Sequence, residues 1–88
     1  MSRRRYTVTL APSAERDLKK LDRSIVPRVI ASLRALEAEP RPHGVKKIKG
    51  AQDIYRVRVG AFRVIYEVHD AEVRVLVLKI AARRESYR

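Results

Sequence analysis

From residue 54 to residue 81 the chain passes through three runs rich in β-branched and aromatic residues: Ile54–Val59, Phe62–His69 and 73–81. Only Gly60-Ala61 separates the first two, and only Asp70-Ala71-Glu72 the last two. No other feature restricts the fold as much. Gaps this short make hairpins, and a two-residue gap led by glycine suits a type II′ turn. With that turn, Val59 faces Phe62, Arg58 faces Arg63, Val57 faces Val64 and Arg56 faces Ile65. The alternation then gives each strand an apolar side carrying Tyr55, Val57, Val59, Phe62, Val64 and Tyr66, and a second side carrying Arg56, Arg58 and Arg63.

The apolar side needs a cover, and the first half of the chain supplies one. Residues 6–10 alternate weakly and read as a strand. Pro12 suits a first helical turn, Glu15 and Asp17 follow at the end the helix dipole favours, and Ala14, Leu18 and Leu21 recur at helical spacing. A second helix is expected from Ser24 as N-cap, with Pro27 in its first turn and Val26, Val29, Ile30, Leu33 and Leu36 as its apolar stripe, ending before Pro40. The segment 39–50, with two prolines and two glycines, reads as loop. The expected fold is α+β in the order β-α-α-β-β-β: a helical hairpin on one face of a mostly antiparallel four-stranded sheet, with residues 1–88 as a single domain.

Composition excludes several classes of function. The 88 residues hold no Cys, which argues against a disulfide-stapled scaffold or a thiolate zinc site and suits a reducing cytoplasm. No apolar run reaches the length of a membrane span, so no membrane partner is expected. The start, with Arg3, Arg4 and Arg5 ahead of a β-like stretch, is too short for a signal peptide. Twenty-one Lys+Arg against ten Asp+Glu give a net charge of +11, which calls for a polyanionic partner, nucleic acid first and an acidic protein second. Residues 1–50 hold 13 basic and 5 acidic residues, and residues 51–88 hold 8 and 5.

The smaller surplus carries the sharper pattern. Arg58 and Arg63 directly opposed cost a sheet a few tenths of a kcal/mol or more. The arrangement makes sense if an anion sits between the guanidinium forks, which match phosphate in bidentate fashion. Otherwise the three arginines splay into water. His43 lies in the Pro/Gly loop and His69 at a strand end; both read as surface residues, with a histidine acid–base pair as the alternative. The carboxylates are scattered, which argues against a two-metal nuclease.

Two segments resemble a known family. Val45-Lys46-Lys47-Ile48-Lys49-Gly50, followed by residues 54–68, is similar to the pattern K-x-L-x-G … Y-R-I-R-V-G-x-Y-R-V-I-Y-x-V. The ending Ala82-Arg83-Arg84-Glu85-Ser86-Tyr87-Arg88 resembles H-R-R-E-V-Y-R. Both belong to the RelE/ParE toxin superfamily, and the tail places the chain nearer the RelE branch. The resemblance implies a type II toxin that cuts mRNA in the ribosomal A site without metal or cofactor. In that reaction the ribose 2′-OH attacks the adjacent phosphate, leaving a 2′,3′-cyclic phosphate and a 5′-OH. It also implies two partners, the ribosome with its mRNA and an acidic, partly disordered, RelB-like antitoxin.

Carried over position by position, the catalytic residues fall on Arg56, Arg58, Arg63, Arg83 and Tyr87. Lys46, Lys47, Lys49, Arg84 and Arg88 are expected to bind RNA or ribosome. Arg63 is the first choice to stabilise charge on the phosphoryl oxygens, supported by Arg56. Arg83 would meet the 5′-oxygen leaving group as a fixed charge, since a guanidinium gives up protons poorly. Tyr87 is the candidate general base, its phenol pushed down by neighbouring arginines. Two departures matter: arginine stands at 56 and 58 where the best-known relatives have lysine, and Ala82 stands where the tail often has His. Arg58 is therefore no base, and catalysis is expected to be weak, to lean on Tyr87 alone, or to depend on the ribosome ordering the mRNA for in-line attack. The other readings are a ParE-like gyrase poison and a degenerate module that only binds an antitoxin.

Overall fold

The computed structural model describes residues 5–48, 50 and 53–82. The elements follow in the order β1 (Thr7–Leu10), α1 (Pro12–Lys20), α2 (Val26–Ala38), β2 (Lys46–Lys47), β3 (Ile54–Val59), β4 (Phe62–His69), a 3₁₀ turn (Asp70–Glu72) and β5 (Arg74–Ala82). The strands form one sheet ordered β1-β5-β4-β3-β2, in which β1 runs parallel to β5 and every other pair is antiparallel. Two helices cover one face, so the α+β class is as expected.

Two expectations need correction. The sheet has five strands, not four: Lys46–Lys47 pairs with β3 inside the segment read as loop. Two residues show no alternation of their own, and only β3 as a partner makes them a strand. Ser24 does not cap α2. It donates to Asp22 Oδ1 through both its backbone N–H and its Oγ, at 2.9 Å each, and so closes a turn before the helix, whose N-cap is Ile25. Such Asx turns compete for the residues that favour caps. The second gap holds a short 3₁₀ turn that ends on Val73 at φ 52°, an uncommon conformation for a β-branched residue.

The hairpin register is the one the glycine-led turn implies, from Val59↔Phe62 to Ile54↔Glu67. Gly60 has φ +59° while Ala61 is not left-handed, which is the sign pattern of a type II′ turn. A Cβ at residue 60 would also stand 3.3 Å from the Arg28 guanidinium. Gly60→Ala should therefore cost about 1–2 kcal/mol. Urea unfolding checks this, and an unchanged midpoint would show that the turn tolerates a side chain.

The core lies between the helices and the inner face of the sheet. Ala14, Val29, Leu33 and Leu36 from the helices meet Val59, Val64, Tyr66, Val68, Val75, Val77 and Ile80. Each buried aliphatic side chain contributes roughly 1.5–3 kcal/mol. The inner side of β3 and β4 is thus the apolar side expected from alternation, and Arg56, Arg58 and Arg63 stand on the other side, called the outer face below.

Candidate functional site

Direct cross-strand partners share a face, with Cα atoms about 4.5–5.5 Å apart. Arg58 and Arg63 are such partners, as are Arg56 and Ile65. The structure therefore brings the three sequence-derived arginines together on the outer face, at the end of the sheet near the Gly60 turn. Their environments differ. Arg58 is exposed, Arg56 half-buried, and Arg63 is only 9% exposed and the one buried charged residue among those described. Arg63 faces Ala81, which is also buried. A guanidinium held in place by burial is pre-oriented, while Arg58 beside it can reach a ligand from solvent.

The short β2 strand extends this site. Lys46 pairs with Arg56 and so joins the outer face, whereas Lys47 pairs with Tyr55 and belongs to the other side. The alternation splits two neighbouring lysines that the sequence treats alike. Across the sheet the row then reads Lys46, Arg56, Ile65, Lys79, with Arg58 and Arg63 in the next row. Sequence reasoning missed Lys79, and it did not set Lys46 beside the arginines. Lys46, Arg56, Arg58 and Lys79 form no ion pair with a described residue. Positive charge at these four residues, without a described carboxylate partner, suits an anionic ligand. Arg83, Arg84, Tyr87, Arg88 and Lys49 lie outside the described residues.

The two histidines have different settings. His43 is exposed in the loop after α2, and His69 Nε2 lies 2.8 Å from Glu67 Oε1 near the far end of β4. Among the described residues no group of three or more His, Cys, Asp or Glu side chains is arranged to hold a metal.

The far end of the sheet holds a polar network that sequence reading also missed. Arg41 donates to both oxygens of Asp70, at 3.1 and 2.7 Å, and through Nε to the Tyr55 hydroxyl at 3.0 Å. Its guanidinium lies 5.2 Å from the centre of the Tyr55 ring, a cation–π geometry. The Tyr6 hydroxyl donates to Asp70 at 2.7 Å. Together these ties bind the residue just before β1, the loop before β2, β3 and the turn after β4. The Arg41 hydrogen bonds, then that of Tyr6, hold the Asp70 carboxyl down at about 2, and the same bond to Asp70 raises the Tyr6 phenol.

A carboxylate lowered in the folded state contributes stability above its unfolded pKa of about 3.9 and loses it as pH falls toward 2. The wild-type Tm should therefore exceed that of Asp70→Asn at neutral pH, and the gap should close between about pH 4 and pH 2. Asp70 is well exposed, so the gap should also shrink in high salt. Thermal melts across that pH range check both, and a gap that widens on acidification would overturn the assignment.

Comparison with known proteins agrees with this architecture. The family model for the ParE toxin of type II toxin–antitoxin systems, parDE, matches residues 8–87. The chain is 30% identical to the RelE1 protein of Methanocaldococcus jannaschii over 87 residues, which is 96% of this chain and 97% of that one. It is also 30% identical to toxin RelG of Mycobacterium tuberculosis over 84 residues, 94% of this chain and 97% of that one. Among solved structures, RelE–RelB from Pyrococcus horikoshii matches with a TM-score of 0.79 at 31% identity, over 89% of this chain and 94% of that chain. With the helices, the strand order and the family pattern in agreement along nearly its whole length, this chain belongs to the RelE/ParE superfamily of type II toxin–antitoxin toxins.

Proposed function

We propose that this toxin is a ribosome-dependent, metal-independent mRNA endoribonuclease, formed by residues 1–88 as one domain, that stops translation by promoting 2′-OH attack on the adjacent phosphate. The observation that carries the reading is the outer face, where Arg58 and Arg63 are directly opposed, Arg63 is buried and Arg56 and Lys46 adjoin them. In-line attack moves negative charge onto the phosphoryl oxygens. Guanidiniums already oriented there stabilise that charge without reorganising, and they supply what a metal ion supplies in other nucleases. The 2′-hydroxyl proton passes to a base and the departing 5′-oxygen regains one. Tyr87 is the assigned base, and Arg83 stabilises the departing 5′-oxygen as a fixed charge while that oxygen takes its proton from water; both residues lie outside the described ones. Because Arg58 cannot serve as base, the ribosome contributes by holding the mRNA in line.

The proposed partners are the ribosome with mRNA in its A site and an acidic antitoxin; RelE–RelB and RelBE2, two of the similar structures, are toxin–antitoxin complexes. A second reading is gyrase inhibition without RNA cleavage, for which the match to the ParE toxin family is the supporting observation. One experiment separates them. The purified chain is added to a reconstituted translation reaction with a defined mRNA, and in parallel to DNA gyrase with supercoiled plasmid. Cuts that need the ribosome and vanish in Tyr87→Phe support the nuclease. Intact mRNA with gyrase-trapped, broken plasmid supports the second reading. If neither occurs while the antitoxin still binds, the chain is a degenerate binding module.

A further inference from the structure

Lys79 is the cation on the outer face that regular alternation would place elsewhere. It stands two residues beyond Val77 and four beyond Val75, both fully buried under the helices. Strict alternation would turn it into the core. Instead Ile65 pairs with Lys79 while its neighbour Tyr66 pairs with Val77, so β5 carries one extra residue at Leu78. Such bulges re-aim the side chains that follow them. Ile80 then faces Val64 in the core, and Lys79 is left exposed beside the arginines.

Helix α1 holds this insertion in place. Ser13 Oγ donates to the Leu78 carbonyl at 2.7 Å, and the Ile80 N–H donates to Asp17 Oδ2 at 3.0 Å. Ser13 and Asp17 are one helical turn apart. They take up two backbone groups of β5 that β1 does not reach, because β1 ends at Leu10 opposite Val77. Arg63 faces Ala81, two residues beyond Lys79. Lys79 is thus its diagonal neighbour on the same face, about 7–8 Å away.

We propose that Lys79 is a further RNA-binding residue: its ammonium holds the backbone phosphate adjoining the one gripped by Arg58 and Arg63, and Ser13 and Asp17 are its positioning residues. The proposal rests on the RNA reading of the outer face given above. Two specific hydrogen bonds from α1 hold the strand in the register that places this cation diagonal to Arg63. A lysine suits the rim of such a site, because a point charge on a flexible stem follows a mobile backbone while the arginine forks hold the reacting group.

The test is binding of the purified chain to a single-stranded RNA oligonucleotide with 2′-O-methyl riboses, which cannot be cleaved, over a series of salt concentrations. Lys79→Ala should weaken binding about tenfold at low salt. It should also reduce the slope of log K against log salt by about 0.7, and Lys79→Arg should restore both. Asp17→Ala should produce much of the same loss with Lys79 still present, and adding Lys79→Ala to it should cost little more. Unchanged affinity and slope in Lys79→Ala, or no salt-dependent binding by the wild type, would overturn the proposal. Binding that depends on Lys79 in a chain that leaves mRNA intact on the ribosome would uphold it and remove the nuclease reading alone.

Discussion

Arg63→Ala is expected to lower ribosome-dependent mRNA cleavage by about 10²–10³-fold, the usual cost of losing one preorganised donor at a developing oxyanion. The magnitude follows from the setting of the side chain. Arg63 is buried on the outer face, opposite Arg58 and next to Val64 of the core. Burial restricts the side chain before the phosphate arrives, so less of its interaction with the transition-state charge is spent on ordering it. An exposed arginine would spend part of that interaction on ordering itself. Arg58→Ala should accordingly cost less than Arg63→Ala, and Arg63→Lys should recover only part of the rate, since an ammonium keeps the charge but not the fork. Removing a buried side chain also affects packing, so thermal melts accompany the rates. A folded Arg63→Ala protein that cleaves at the wild-type rate would take Arg63 out of the reaction.

The largest expected effect on stability is at Tyr66. Its ring is fully buried and stacks on Tyr55 with centroids 6.1 Å apart, and its hydroxyl donates to the Pro40 carbonyl at 2.8 Å. Tyr66→Ala should destabilise the fold by about 3–5 kcal/mol through lost burial and the cavity left behind. Tyr66→Phe isolates the hydroxyl. It keeps the ring but leaves the Pro40 carbonyl without that donor, at a cost of about 1–3 kcal/mol. The bond also has a positional role, because it ties the chain just after α2 to β4, and Arg41 then continues to Tyr55 and Asp70. Tyr66→Phe should therefore loosen the segment leading to β2 more than it loosens β4 and β5. Urea unfolding and amide hydrogen exchange measure the two effects. Equal stability of Tyr66→Phe and wild type would mean that water replaces the lost donor without penalty.

Much of this was legible in the sequence because it is local. The Gly60 turn sets the pairing of its own flanking residues, so the opposition of Arg58 and Arg63 follows from a two-residue gap and the pleat. The apolar stripe of α2 is likewise a matter of spacing, and Val29, Leu33 and Leu36 are buried as their positions require. Where two local rules competed, sequence reading chose the wrong one: Ser24 satisfies both a cap and a turn pattern, and the Asp22 carboxylate two residues away drew it into the turn. The charge balance was a poor guide to location. It favoured residues 1–50, yet among the described residues of that half only Lys46 stands beside the arginines, and by strand pairing rather than by its basic neighbours.

By itself the sequence determined the hairpin, its register and the arginine face, because each depends on residues a few positions apart and on the twofold period of a strand. Only the tertiary structure decided that Lys46 and Lys79 complete that face. Lys46 needs β3 beside it, and Lys79 needs an extra residue in β5 whose backbone groups are taken up from α1. Ser13 is 65 positions from Leu78 and Asp17 is 63 from Ile80. No periodicity in the strand carries that information, since alternation alone would have turned Lys79 toward the core.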